Sequence, residues 1–397
     1  MVIGMVTLTA VGDVMLGSGV EALIKQCGAE YPFQHVATIL KNSDITFANL
    51  ESPLTNEHNK AVWDYTKILD KPIEIDGKVF SSVYCKATPD AVKGLTYAGF
   101  DIVSIANNHI MDYGATGLFD TIKALSECNI KFVGAGKNIN DARKPVILHV
   151  KDVKVGFLAY SDVYIASKKR PGVAPIKYIE NDVEKLKDDV DIIIISIHSG
   201  MDIVDYPLPN EIQMMHSIID SGADLILRHH PHVVQGIEHY KKGVIVYSLG
   251  NFVFDYTIDP LWKDLTKARE SMIFRCELSK DGIVEAEIVP VVINNHFQPE
   301  IPSGDDKNRI MTRIEKLSSN ITNKNDSGLK EKIRNDYVRT EMALAYHVMI
   351  SSIKKREFRN ILLMLDRIKL YHVRLLIKHL IKHVLFSNKN KKEAESF

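Results

Sequence analysis

The sequence lacks the features that would place it in several specialised classes of protein. Its four cysteines (Cys27, Cys85, Cys128 and Cys276) form no CxxC pair, which argues against a disulfide framework and indicates free thiols in a reducing compartment. No run reaches about 18 consecutive apolar residues and residues 1–10 show no leader-like pattern, so we expect a cytoplasmic protein without a transmembrane helix. Lysine plus arginine equals aspartate plus glutamate at 50 each, so the net charge favours no class of partner.

What remains is the composition of an ordinary globular protein, arranged as alternating strands and helices. Apolar residues make up 45% and charged residues 25% of the 397 residues, which suits one large domain with an extension. Apolar β-rich runs alternate with helical patterns in the first half, whereas residues 145–160 and 271–293 each predict a hairpin. This mixture predicts α/β (α+β) layers with mixed sheets.

The composition changes along the chain in a way that predicts three regions. Residues 1–300 are predicted to form one domain, and residues 301–328 turn polar, which indicates a linker with room for one helix. Residues 329–397 have apolar residues at helical spacing, and 351–397 carry 12 lysines and arginines against 4 acidic residues, so we predict a basic helical extension. Such helices would pack on the domain or bind a protein or an anionic membrane surface. Nucleic acid is not expected because aromatic residues are few there.

Three histidines within four residues follow an apolar strand at 225–227, and polar residues also follow several other strands. Imidazole is a frequent metal ligand, and nitrogen donors of this kind suit Zn, Fe, Mn or Ni. Because sites in open α/β sheets form beyond the carboxyl ends of the strands, we expect these side chains to meet. They are Asp13, Asn49, Glu51, Asn108, His109, His198, His230 and His232.

These donors outnumber the three or four ligands that a single metal needs. The surplus predicts two divalent metals about 3.5–4 Å apart, an arrangement that clamps the attacking and leaving oxygens of a phosphoryl-type displacement. Glu51 is the best-placed carboxylate to bridge them. Each residue also has a structural alternative: Asp13 would cap a turn, Asn49 would hydrogen-bond at a strand end, and the histidines would form a surface loop.

Five sequence motifs carry a resemblance to a known family. They are GDVMLG (12–17), NLESP (49–53), ANNHIMDYG (106–114), HHPHVVQ (229–235) and YSLGNFVFD (247–255). In this order they resemble the CapA family, which is named for poly-γ-glutamate capsule synthesis and belongs to the calcineurin-like metallophosphatase superfamily. The resemblance covers about residues 7–292 and implies a four-layer αββα sandwich with a cleft for two divalent metals, Mn, Fe or Zn.

The resemblance also implies roles for individual residues. His109 would be the general acid or would orient the phosphate, and Asn251 would anchor the loop around the ligands. Six residues would bind metal: Asp13 and His232 the first ion, Asn108, His198 and His230 the second, and Glu51 both.

Three positions depart from the family pattern. Met15 stands where the superfamily has a histidine ligand, and residues 199–202 are Ser-Gly-Met-Asp where Trp-Gly-x-Glu is usual. Arg228 stands where a glycine is usual before the histidine turn. Because its guanidinium fork suits phosphate or carboxylate, we predict a catalytic role for Arg228 as an anion clamp.

We therefore predict a metal-dependent hydrolase of phosphoester or related bonds, linked to capsule or poly-γ-glutamate synthesis. The alternative is a non-hydrolytic assembly, export or polymer-binding component whose cleft holds the carboxylates of an anionic polymer. In both cases the cleft takes an anionic substrate or polymer, and the basic extension would support a protein contact or peripheral membrane association.

Overall fold

Alternating strands and helices make up the computed structural model, which describes residues 4–61, 73–75, 78–80, 83–258 and 265–321. The strands are β1 (Val6–Val14), β2 (Ile45–Leu50), β3 (Ile73–Ile75), β4 (Lys78–Phe80), β5 (Ile102–Ser104), β6 (Lys131–Val133), β7 (Ala135–Gly136), β8 (Val146–Val150), β9 (Val153–Ser161), β10 (Gly172–Val173), β11 (Ile192–His198), β12 (Leu225–His229), β13 (Ile237–Tyr240), β14 (Gly243–Val246), β15 (Asn251–Val253), β16 (Glu270–Ser279), β17 (Gly282–Ile293) and β18 (Pro299–Glu300). The α-helices are α1 (Ser18–Cys27), α2 (Ala37–Lys41), α3 (Val92–Ala98), α4 (Gly114–Glu127), α5 (Ile139–Ala142), α6 (Ile179–Leu186), α7 (Pro209–Ser221) and α8 (Gly304–Ile321).

The first sheet has eight strands and mixes parallel with antiparallel pairs. Its order is β18-β17-β16-β1-β2-β5-β6, and β15 pairs with the end of β1. Strands β1, β2, β5 and β6 are parallel neighbours, whereas β16 and β17 form the second hairpin that the sequence predicts. The parallel strands therefore place their carboxyl ends along one edge of the sheet.

The second sheet has six strands in the order β13-β14-β12-β11-β9-β8 and contains the most apolar strand of the chain. Every residue of β11 is buried. Ile193, Ile195 and Ile197 pack in one cluster with residues of α6 and α7, so alternate residues of the strand lie under these helices. Burial on both faces explains the uninterrupted apolar run, and the predicted central position of this strand is confirmed.

The two sheets pack face to face, with helices on their outer sides. Between the sheets, the rings of Phe47 in β2 and Phe157 in β9 stack with their centroids 5.9 Å apart. Helix α4 buries Leu118 and Leu125 beside the first sheet, while α6 and α7 cover the second. The result is the four-layer αββα sandwich that the resemblance implies, so the fold prediction is confirmed.

Strand β1 differs from the prediction at Gly12. The sequence predicts a turn there, but β1 continues to Val14 and Asp13 lies within the strand. Glycine is required because the backbone of Gly250 comes so close that a Cβ on Gly12 would lie 1.9 Å from the Gly250 carbonyl oxygen. The Asp13 amide donates to the same oxygen at 3.0 Å, so this close approach fixes the backbone that carries Asp13.

The segment predicted as a polar linker contains the 18-residue helix α8. Ile310, Ile314, Leu317 and Ile321 recur at helical spacing and are buried, and the helix contacts β13 and β17. Residues 304–321 are therefore packed against the sheets. The predicted basic extension at 329–397 lies outside the described residues. Among the helices that the structure describes, none combines the length and the apolar character needed to span a membrane.

Candidate metal centre

Most of the predicted ligands lie at the carboxyl ends of β1 and β2 in the first sheet and of β11 and β12 in the second. Asp13 lies in β1, Glu51 follows β2 directly, and His198 ends β11; all three side chains are buried. The histidine turn follows β12, which ends at His229. Asp13 and His229, 216 positions apart in the chain, are in hydrogen-bonding contact here. The convergence that strand ends predict is thus present in the structure.

Two groups of ligand atoms share Glu51. Those of Asp13, Glu51 and His232 lie within 4.8 Å of one another, and so do those of Glu51, His198 and His230. The Glu51 Oε1 atom is 3.4 Å from His198 Nε2 and 3.7 Å from His232 Nε2. The structure therefore places these residues in the two groupings that the resemblance implies, with Glu51 between them.

Glu51 is a buried carboxylate, and neither of its oxygens has a hydrogen-bond partner among the residues that the structure describes. Burial raises its pKa well above the ordinary value, and the nearby charge of Asp13 raises it further. Because an isolated carboxylate is costly to bury, its ionisation here requires a compensating positive charge. The oxygen and imidazole donors around it suit a divalent cation, so these residues fit the two-metal centre that the family implies.

Asp13 is in a different electrostatic environment. Its oxygens accept hydrogen bonds from Asn49 Nδ2 at 2.9 Å, from His229 Nδ1 at 3.1 Å and from the His230 amide at 3.3 Å. Burial alone would raise the pKa of Asp13, but the hydrogen bond and charge of His229, with help from His232 and Asn49, outweigh burial and lower it. Asp13 is therefore an anion whose orientation is fixed by its protein neighbours.

Burial favours the neutral form of two histidines in the centre. It lowers the pKa of His198 well below 6.5, and the neighbouring imidazoles of His230 and His232 lower it further. Burial also has the largest effect on His232, whose pKa is lowered although Asp13 and Asp202 oppose the change. A neutral imidazole has the nitrogen lone pair that metal coordination requires.

Asn251 sets the tautomer of His232. Its amide nitrogen donates to the carbonyl oxygens of His232 at 3.3 Å and Ala268 at 3.0 Å, which leaves the Asn251 Oδ1 atom to accept from His232 Nδ1 at 2.8 Å. His232 therefore carries its proton on Nδ1, and the unprotonated Nε2, which faces Glu51 at 3.7 Å, is the atom that would bind metal. The same contacts anchor the loop, as the resemblance implies for Asn251.

The histidine turn has an unusual backbone. The φ angle is 95° at His230 and 57° at His232, values that residues other than glycine rarely adopt. Such conformations persist only where surrounding contacts impose them, and they cluster at functional sites. Here the two strained residues flank Pro231, and both imidazoles reach the ligand groups around Glu51.

Asn108 and His109 follow β5 and approach the centre from the first sheet. Asn108 Oδ1 lies 2.9 Å from His198 Nε2, which places the amide oxygen beside the second ligand group. His109 Nδ1 donates to Asp112 Oδ2 at 2.7 Å, and the Cys85 amide donates to the same oxygen at 2.8 Å. A buried carboxylate thus orients His109, and this geometry suits a proton donor.

Arg228 is buried and engaged by other side chains, so its geometry does not support the predicted anion clamp. Its buried guanidinium pairs with Glu211 of α7 at 2.5 Å and donates to Gln235 Oε1 at 3.3 Å. Successive side chains of a strand point to opposite faces, so Arg228 points away from the face on which His229 meets Asp13. A guanidinium that is enclosed and already paired with a carboxylate is not available to a substrate.

Sequence reasoning gives too little weight to three residues beside the centre. Asn49 contacts both Asp13 and His198 Nδ1, the latter at 3.2 Å, so one amide holds ligands from two sheets. Asp112, three residues after His109 in the same motif, orients the His109 imidazole. Asp202 lies at a departure from the family pattern. The sequence features that point to these residues are the positions of Asn49 and Asp112 within the matching motifs and the position of Asp202 four residues after His198, the last residue of β11.

Comparison with known proteins identifies the family. Residues 7–256 match the family profile described as "Bacterial capsule synthesis protein PGA_cap". The chain belongs to this family. The resemblance to CapA proteins is therefore confirmed, and the matched region of this PGA_cap protein contains all six proposed metal ligands.

Two CapA proteins are similar over most of the chain. The capsule biosynthesis protein CapA of Bacillus anthracis is 34% identical over 348 residues, which cover 85% of this chain and 80% of that protein. The PGA biosynthesis protein CapA of Bacillus subtilis strain 168 is 32% identical over 325 residues, which cover 80% of each. A probable polyglutamine synthesis accessory protein of Mycobacterium tuberculosis is 28% identical over 303 residues, which cover 63% of this chain and 75% of that protein. The names of these relatives tie the PGA_cap family to capsule polymer synthesis.

Solved structures of similar architecture are more distant in sequence. A phosphatase of Mycoplasma pneumoniae is 13% identical with a TM-score of 0.45, covering 78% of this chain and 97% of that one. The 5'-nucleotidase of Candida albicans SC5314 is 11% identical with a TM-score of 0.39, covering 79% of this chain and 58% of that one.

Proposed function

We propose that this PGA_cap protein is a metal-dependent hydrolase that cleaves phosphoester or related bonds in capsule or poly-γ-glutamate synthesis. The observation that carries the proposal concerns Glu51. Its two buried oxygens have no hydrogen-bond partner in the described part of the chain, and they lie between two groups of carboxylate and imidazole donors. A carboxylate in such a position is suited to bridging the paired cations of a hydrolytic centre.

The centre would hold two divalent cations, Mn, Fe or Zn. When bound, such a pair stabilises negative charge on both the attacking and the leaving oxygen. The lowered pKa values of Asp13, His198 and His232 favour the unprotonated forms that coordination needs. The ligands would be Asp13 and His232 at the first ion, Asn108, His198 and His230 at the second, and Glu51 at both.

His109 would hold and deliver a proton in this reaction. Asp112 accepts the hydrogen bond from its Nδ1 atom, so a protonated His109 carries its second proton at Nε2. His109 directly follows the proposed ligand Asn108 and contributes to the lowered pKa of His198, which supports a position of this proton near the proposed centre. General acids of this kind contribute about 10²–10⁴-fold to the rate.

Hydrolysis of a generic phosphomonoester and phosphodiester by the Mn-loaded protein tests the proposal. We expect turnover that is lost in His230→Ala and falls about 10²–10⁴-fold in His109→Ala. His149→Ala, which alters an exposed histidine of β8, is the matched control and should retain full activity. The metal content of His109→Ala should equal that of the wild type. Absence of turnover with every divalent metal, or full activity in His230→Ala, would contradict the proposal.

The names of the relatives favour a second function, because they refer to the synthesis of capsule and polymer and not to hydrolysis. In this alternative the metal-loaded cleft binds the carboxylates of an anionic polymer without turnover, and the protein acts in assembly or export. Binding of poly-γ-glutamate that chelators abolish, with no change in polymer length, would establish this function. Metal-dependent shortening of the polymer would favour the hydrolase instead.

A further inference from the structure

A third carboxylate, that of Asp202, faces the histidines of the metal centre. Its Oδ1 atom lies 3.3 Å from His230 Nε2, and ligand atoms of Asp202, His230 and His232 lie within 4.8 Å of one another. The charge of Asp202 also contributes to the raised pKa of Glu51. The Asp202 side chain is 49% exposed, so it approaches the centre from the solvent side, whereas the Glu51 side chain is fully buried.

Neighbouring segments hold the loop that carries Asp202. The Ile203 amide donates to the Pro231 carbonyl oxygen at 2.8 Å, and the Ile203 carbonyl oxygen accepts from Lys267 Nζ at 2.8 Å. The φ angle of Ile203 is 60°, a genuine outlier for a β-branched residue. Strain of this kind persists where surrounding contacts impose it, typically at ligand-binding segments. The backbone next to Asp202 is therefore fixed against the histidine turn itself, through Pro231.

The two proposed ligand sets are unequal in size. The second contains four residues once Asn108 is counted, whereas the first contains Asp13, Glu51 and His232. Asp202 is the carboxylate whose ligand atom lies within 4.8 Å of those of both His230 and His232, one residue from each set. The charge of Asp202 also acts against the ionised form of Glu51, and a cation between the two carboxylates would relieve this repulsion.

We propose that Asp202 is a further metal ligand of this centre, on the side where His230 and His232 lie together. The inference rests on the proposed function only in that the centre must hold divalent metal. A half-exposed loop carboxylate would then hold metal on the solvent side of the centre, where a substrate would approach.

Asp202→Cys tests direct contact with the metal. A thiolate bound to Co²⁺ adds a sulfur-to-metal charge-transfer absorption in the near ultraviolet, which a carboxylate does not. We expect this absorption in Co²⁺-loaded Asp202→Cys. The controls are the wild type and Asp281→Cys, which places a thiol at the exposed turn between β16 and β17. All three proteins share the native cysteines, so only the added band reports on position 202.

Asp202→Asn supplies an independent measurement by calorimetric titration with Mn²⁺. We expect one of two binding events to weaken at least about tenfold, since even outer partners of ligands are worth about 10–100-fold. Asp281→Asn should leave both events unchanged. If the wild type binds two ions but Asp202→Cys shows no added band, Asp202 is not a ligand. If the wild type binds no metal, the proposed function fails instead. Because Asp202 is half exposed, both variants should retain the thermal unfolding temperature of the wild type when no metal is present. If Asp202→Cys fails to fold, the calorimetric titration of Asp202→Asn decides the question.

Discussion

Two buried glutamates differ in what surrounds them: one is paired with arginines of the chain, and the other is the proposed bridging ligand of the metal centre. Glu270, at the start of β16, pairs with both Arg309 and Arg313 of α8. Glu51 has no hydrogen-bond partner among the described residues and is surrounded by imidazoles and a second carboxylate. At Glu270 the chain supplies the compensating charge from its own arginines. At Glu51 it supplies imidazole and carboxylate groups, and in the proposed function bound cations supply the positive charge.

The two sites therefore differ in what they contribute to the stability of the metal-free fold. A buried carboxylate that is paired with positive groups leaves the stability of the fold roughly unchanged or increases it, whereas removing one of its partners destabilises the fold. A buried carboxylate without partners opposes folding whenever it is ionised. Glu270 thus fastens α8 to the first sheet, whereas Glu51 lowers the stability of the protein until metal binds.

The largest expected effect is on metal affinity in Glu51→Gln. Replacing the shared carboxylate by an amide removes a negative charge from both proposed ions, so we expect affinity for Mn²⁺ to fall by at least about 100-fold, more than for outer partners of ligands. Calorimetric titration measures this. Glu270→Gln makes the same chemical change at the other buried glutamate and should bind Mn²⁺ like the wild type. Equal loss in the two variants would break the comparison.

Asn251→Ala sharpens the comparison by leaving every proposed ligand in place. Loss of the acceptor for His232 Nδ1 frees the imidazole to change tautomer or rotate, so we expect an affinity loss of about 10–100-fold at one ion. Titration of the purified variant with Mn²⁺ checks this expectation. A variant that binds both ions with unchanged affinity would show that Asn251 only anchors the loop.

Glu270→Gln should reduce the stability of the fold by about 2 kcal/mol, the range found for hydrogen bonds to charged groups, because Arg309 and Arg313 lose their shared carboxylate. The estimate is moderate because Arg309 is 42% exposed and keeps part of its hydration. Denaturant unfolding of the metal-free protein measures the change. Glu51→Gln should instead stabilise the metal-free protein, and a loss of stability in both variants would contradict the distinction drawn here.

The smallest expected effect is a pH dependence of that stabilisation. The pKa of Glu51 in the folded protein is raised above its ordinary value of 4.5, so the folded metal-free protein binds this proton more tightly than the unfolded chain does. The wild type therefore loses stability relative to Glu51→Gln as the pH rises from about 4.5 toward the raised pKa. Parallel denaturant titrations across pH give the difference directly, and the common effects of other groups cancel. A difference that shrinks with rising pH would contradict the assignment.

Much of the fold follows from patterns within short stretches of sequence. The uninterrupted apolar run in β11 predicts a central strand, and residues 145–160 predict the hairpin of β8 and β9. Polar residues after several strands predict one site at the sheet edge, and the matching motifs add residue roles. Each of these signals is local in the sequence. Because the carboxyl ends of neighbouring parallel strands lie along the same edge of a sheet, residues that follow different strands come close together.

The sequence does not reveal contacts between segments that are far apart along the chain. Gly12 reads as a turn because its sequence does not show the backbone of Gly250 beside it. Arg228 reads as an anion clamp because its partner Glu211 lies on another element, α7. Residues 304–321 are predicted only as part of a polar linker with room for one helix, because the few apolar positions of a polar helix gain weight only when a surface covers them. In each case the deciding contact is long-range.

The number of divalent cations per chain tests the central claim most directly. Elemental analysis of the protein purified without chelators should find two ions per chain in the wild type and in Glu270→Gln, and fewer in Glu51→Gln. A wild-type chain that carries no divalent metal, or equal metal content in all three proteins, would contradict the claim that Glu51 is buried to hold a pair of cations.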